Sequence, residues 1–293
     1  MDIAAINRLT KISVEKPLLP ETYVPWGNKP TTEERFLPKD FISIEGLPIY
    51  QTLTKDQIKE IERHESVQFM FSYAWSEALA VKFLGREVAK LKCSAAETKF
   101  MYREIIEETR HQEMFSRGIE AVDGKPILPS GHHFFWSKLS VQYLPSPLMF
   151  MVVIAGELVA DAIGREVQKD ENVYSVFRKM AELHQIEEGR HIYFAKKYLE
   201  DYTKNAGLLR RTVYSVLMAM HIHFMITMYV KEEIFERAGV PDARQVYKAA
   251  RKNYRSNFSK KCLQSAIDFT KEFNGFNTVS KLFWKWLLKA QIN

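Results

Sequence analysis

The chain has 293 residues, 46% of them hydrophobic and 27% charged, with a net charge of +6. This composition excludes a disordered or fibrous chain and leaves ample apolar material for a large buried core. Two cysteines, Cys93 and Cys262, exclude a disulfide framework and any Cys-based zinc or iron–sulfur site, so the cytoplasm is the expected compartment.

Residues 1–53 are interrupted by Pro17, Pro20, Pro25, Pro30, Pro38 and Pro48, and read as an arm laid over the core. Met1–Pro20 has no unbroken apolar run before a cleavage-like site, which argues against a signal peptide. At Thr54 the texture changes. Thr54 followed by Gln57 fits a capping box, and a helical pattern runs from there to about Leu91. A second helix is predicted from Ser94 to about Val122, then a connection over Asp123–Tyr143 containing Gly124, Pro126, Pro129 and Gly131. Pro145 and Pro147 precede a third long helix ending near Lys169, and a fourth covers about Val173–Tyr202. Residues 54–203 thus form a four-helix core. Additional helices follow over 207–293: one from Gly207 to about Ala238, stopped by Gly239 and Pro241, shorter ones in Asp242–Phe273, and a last one over Phe276–Ala290. Nothing alternates with strand period, so the chain is expected to be all-α and a single domain.

Leu144–Ala162 and Thr212–Val230 approach the length of a bilayer span. The first carries Glu157 and Asp161 and the second His221 and His223, so buried helices of a large bundle are the better reading, with no membrane span. Arg244, Lys248, Arg251, Lys252, Arg255, Lys260 and Lys261 form a basic run. Without a nucleic-acid motif it reads as a solvated helix face.

The chemistry lies in a repeat. Glu107-Glu108-Thr109-Arg110-His111 returns 80 residues later as Glu187-Glu188-Gly189-Arg190-His191, and the same offset carries Glu77 onto Glu157. Residues three or four apart share a helix face, so Glu108 projects with His111 and Glu188 with His191. Glu77 and Glu157 sit within apolar stretches, where an unpaired carboxylate is costly. In a four-helix bundle this pattern surrounds two iron or manganese ions. Carboxylates with imidazoles suit those metals better than a closed tetrahedral zinc site.

The set resembles the ferritin-like di-iron carboxylate superfamily, which implies Glu77, Glu108 and His111 at one metal, Glu157, Glu188 and His191 at the other, and Glu108 and Glu188 bridging. The repeat breaks at one place: His184 stands one turn before Glu188, where the first half has Glu104. His184-x-x-x-Glu188-x-x-His191 supplies a seventh ligand and specifically resembles the para-aminobenzoate N-oxygenase family. That resemblance implies four carboxylates, three histidines, two iron ions (manganese being the alternative), dioxygen and external electrons, and oxidation of a small amine to a hydroxylamine or nitro product. No catalytic residue beyond the ligands is assigned. A hydroxylase or desaturase acting on carbon, and an iron-oxidising or storage protein, stand as alternatives. The electron donor is not legible, and a homodimer is left open. Glu107, Glu187 and Asp161 are candidates to accept from a histidine, and Arg110 and Arg190 to offset carboxylate charge.

Overall fold

In the computed structural model, which describes residues 2–292, local capping and packing explain most helix limits. The arm begins as helix α1, Ile3–Glu15, with the Asp2 side chain accepting the Ala5 N–H at 3.1 Å, and includes the single turn α2, Pro20–Tyr23. Two 3-10 turns complete the arm. Helix α3, Lys55–Val88, starts at the expected capping box: Thr54 and Gln57 each bond the other's backbone N–H. Helix α4 spans Ala96–Glu120, α5 Gly131–Tyr143, α6 Ser146–Lys169 and α7 Ser175–Lys204. The remaining helices are α8 (Leu208–Tyr229), α9 (Glu232–Arg237), α10 (Ala243–Cys262), α11 (Gln264–Glu272) and α12 (Thr278–Leu288). Among the described residues the only β pairing is an isolated bridge between Arg35 and Val173.

Ahead of its first proline the arm holds α1, which packs on α4. Two expectations are corrected. The connection over Asp123–Tyr143 holds α5, which Gly131 opens and whose carboxyl end reaches Tyr143. The fifth long helix stops at Tyr229, where Val230 and Lys231 turn to extended backbone before α9 resumes. No proline or glycine marks that break.

Helices α3, α4, α6 and α7 form the core, with α3 packed chiefly on α4 and α6 on α7. Gly118 allows the close approach of these layers: a Cβ there would stand 2.6 Å from Met180 Cε and 2.8 Å from Met70 Sδ. Helix α8 covers α6 and is itself covered by α12. Apolar α6 therefore has neighbours on several sides. It and the Leu208–Arg237 stretch are long and apolar enough to cross a membrane, yet 61% and 56% of their most apolar windows are buried within the protein. The basic run falls on α10. That helix buries Val246, Ala250, Tyr254, Phe258 and Cys262 while Arg244, Lys248 and Lys252 face solvent.

Candidate metal centre

The four core helices bring all seven predicted residues together: Glu77 from α3, Glu108 and His111 from α4, Glu157 from α6, and His184, Glu188 and His191 from α7. All but Glu157 are buried; Glu157 is half-buried because it lines a cavity. Their donor atoms form three overlapping groups, each within 4.8 Å: Glu77, His111, His184 and Glu188; then Glu108, Glu157 and Glu188; then Glu104, Glu108 and His191. Glu108 and Glu188 each belong to two groups. His184 groups with Glu77 and His111, and His184 Nε2 lies 3.0 Å from Glu77 Oε1. Glu108 groups with His191 through a contact of 3.3 Å.

The outer nitrogens of two histidines are held crosswise. His111 Nε2 bonds Glu187 on the opposite helix at 2.9 Å, and His191 Nε2 bonds Glu107 at 2.8 Å. Each carboxylate thereby fixes a ring so that Nδ1 faces the centre. There His111 Nδ1 lies 3.2 Å from Glu188, and His191 Nδ1 lies 3.1 Å from the same residue. Arg190 donates to Glu107 at 2.8 Å and to Glu187 at 3.3 Å, while Arg110 donates to Glu187 at 3.2 Å. Asp161 serves no histidine: it pairs with Arg165 and accepts from Gln185 near the surface.

Two residues of the site escaped the sequence reading. Ser13, on α1, donates its hydroxyl to Glu107 across 94 residues of chain. No motif marks a serine for such a contact. Glu104 was visible only as the mismatch to His184, yet it is 2% exposed and shares a group with Glu108 and His191.

Without a counter-ion the cluster is electrostatically strained. Burial and neighbouring carboxylates hold Glu77 and Glu157 well above the usual carboxylate range. Burial likewise pushes Glu104 up to about 8. Burial would lower the His111 and His191 imidazoles, but the surrounding glutamates outweigh it and raise both well above the ordinary histidine value. His184 is different: burial takes it down to about 4. Glu107 falls to about 2, because His191, Ser13 and Arg190 outweigh its burial. Glu77 Oε2, Glu108 Oε2, Glu188 Oε1 and His111 Nδ1 are buried without a hydrogen-bond partner. Three buried carboxylate oxygens and one imidazole nitrogen without hydrogen-bond partners, set among donor groups that converge within 4.8 Å, form a donor set that could hold metal ions.

Beside Glu157 opens a mostly apolar cavity of about 1050 Å³, walled by α3, α5, α6 and α8. Trp75, Val152, Leu217 and Phe224 are among its apolar walls, and Lys231 and Arg251 add cationic groups. His221 and His223 both line it, although two residues apart on α8, because the cavity wraps around that helix. His223 Nδ1 bonds the Leu287 carbonyl at 3.1 Å, while burial takes His221 down to about 4, leaving it neutral. Residues 2–274 match the family model described as p-aminobenzoate N-oxygenase AurF. No curated protein matches the chain.

Proposed function

The chain belongs to the p-aminobenzoate N-oxygenase AurF family, oxygen-dependent di-iron oxidoreductases, and from that premise we propose that it oxidises the nitrogen of an amine held in the cavity beside Glu157. The observation that carries this reading is the meeting of the carboxylate–histidine cluster with that cavity at Glu157. Glu77, Glu108, His111, Glu157, His184, Glu188 and His191 would hold two iron ions, with electrons from an external donor. The metals, when bound, supply dioxygen activation.

The chain's own residues do the rest. Glu107 keeps His191 and Glu187 keeps His111 turned inward, and Arg110 and Arg190 donate charge-assisted hydrogen bonds that hold those two glutamates in place. The apolar walls exclude water from the face where the amine would stand. Neutral His221, whose Nε2 lies 3.5 Å from where a Cβ on Gly156 would be, offers a hydrogen-bond partner for an amine N–H next to Glu157. An aminobenzoate carries its negative charge away from its amine, and Lys231 and Arg251 supply opposite charge within the cavity. The volume is at the upper end for ligand sites, roughly 300–1,000 Å³, so arylamines with a body larger than one ring also fit.

The test is anaerobic iron loading followed by reductant, dioxygen and a panel of arylamines of increasing size. We expect two irons per chain and hydroxylamine or nitro products. One zinc per chain, or no iron, refutes the centre. Hydroxylation at carbon with every amine unchanged assigns the reaction to carbon instead.

A further inference from the structure

Glu104 is the buried carboxylate that the seven-residue set leaves unexplained. It lies on α4 one turn before Glu108, is 2% exposed, and its Oε2 has no hydrogen-bond partner. The neighbouring acids are matched. Glu107 receives Arg190, Ser13 and His191, and Glu187 receives Arg110, Arg190 and His111. Glu104 instead converges with Glu108 and His191, their donor atoms lying within 4.8 Å of one another. A carboxylate buried among carboxylates is strongly unfavourable unless a cation joins it.

The internal repeat says which cation. Under the 80-residue offset, the group Glu77, His111, His184 and Glu188 becomes Glu157, His191, Glu104 and Glu108. Three of those four, Glu104, Glu108 and His191, are an observed group of converging donors. Glu104 on α4 thus reaches the histidine of α7, as His184 on α7 reaches the histidine of α4. Resting on the metal centre proposed above, we propose that Glu104 is an eighth protein ligand, bound to the metal held by Glu108 and His191. The break in the repeat then makes the two metals different. One has His111 and His184; the other has His191 and an additional carboxylate, a harder and more negative donor set.

The experiment uses the full chain, wild type and Glu104→Gln, loaded anaerobically with Fe(II) and followed by iron content, binding titration and Mössbauer spectroscopy. Wild type should bind two irons in two distinguishable environments. In Glu104→Gln one iron should bind more than about tenfold more weakly while the other is retained. The metal-free variant should melt above metal-free wild type, because burying a neutral amide costs less than burying a carboxylic acid that ionises readily in the unfolded chain, and this also shows that it folds. Glu104→His should restore the second iron but bring the two environments together. A Glu104→Gln protein with unchanged iron affinity and spectrum overturns the inference and leaves the seven-ligand centre standing. Wild type that binds no iron overturns both, a result distinguishable because it does not depend on residue 104.

Discussion

The two flanks of the metal centre are built on opposite principles. On the flank of α4 and α7, every outward polar atom of Glu107 and Glu187 meets an arginine, a histidine or Ser13, and α1 closes over α4. On the flank of α3 and α6, Glu77 hydrogen-bonds only His184 and Glu157 has no arginine partner among the described residues, and the space beyond Glu157 is a mostly apolar cavity. The first flank fixes ring orientation and disperses charge. The second supplies an approach with few competing hydrogen bonds. Placing both tasks on one side would put arginines and water where the substrate must stand, so the division keeps the reacting face dry.

Substitutions should separate the flanks, and the largest effect belongs where they meet. Glu188 contributes to two donor groups; Glu188→Ala should abolish loading of both metals, seen as loss of bound iron and of metal-induced thermal stabilisation. Next is the closed flank. Arg190→Ala leaves Glu107 and Glu187 short of a cation, and iron affinity should fall about 10- to 100-fold while amine KM changes little at saturating iron.

Acid should act on the same flank. His111 and His191 are held above their ordinary value in the metal-free protein, and both must lose a proton to ligate. Iron affinity should therefore rise with pH, with protons released on loading. Metal-free stability has the opposite sign. The contribution of these two groups is complete below the unfolded histidine value, about 6.5, and is lost as pH climbs through their raised folded values. Calorimetric titration in buffers of different ionisation enthalpy, with melts across pH, checks both slopes; equal proton release at all pH values would contradict the account.

The open flank should respond through substrate alone. Leu217→Trp narrows the cavity and should raise the amine KM by roughly tenfold, a loss of about 1.4 kcal/mol, without changing iron content. The smallest effect is expected at Ser13→Ala. It removes one hydrogen bond from a carboxylate that keeps two others, so stability should fall by about 1 kcal/mol, with a shift in iron affinity of only a few-fold.

What was legible from residues alone follows from the range of each signal. The capping box at Thr54, the four long helices and the Glu-x-x-His spacing are local, and local geometry places Glu108 with His111 wherever α4 lies. The crosswise bonds of Glu107 to His191 and Glu187 to His111 were open to inference because the repeat implies a two-fold relation. The assignment of His184 to the Glu77 group depends on how α7 is rotated against α3, which spacing does not encode. Ser13 is a lone serine ahead of a proline-rich stretch, and its role exists only once α1 docks. Helix α5 was hidden by the glycines and prolines preceding it, and the cavity by the fact that empty space has no residues. Glu104 was in plain view as an asymmetry, but its burial is a property of the assembled bundle.

The packing of α3 on α4 and of α6 on α7 also bears on how the molecule comes together. Contacts close in sequence form early, so two helical hairpins are the natural first intermediates. Each presents a run of glutamates on the surface that must become interior. Arg190 reaches Glu187 at 3.3 Å within α7, but the bonds of Arg190 to Glu107 and Arg110 to Glu187 exist only after the hairpins join. Their docking is thus opposed by like-charge repulsion until protons or cations arrive. A cation bound only by the joined hairpins would therefore favour the assembled bundle by mass action.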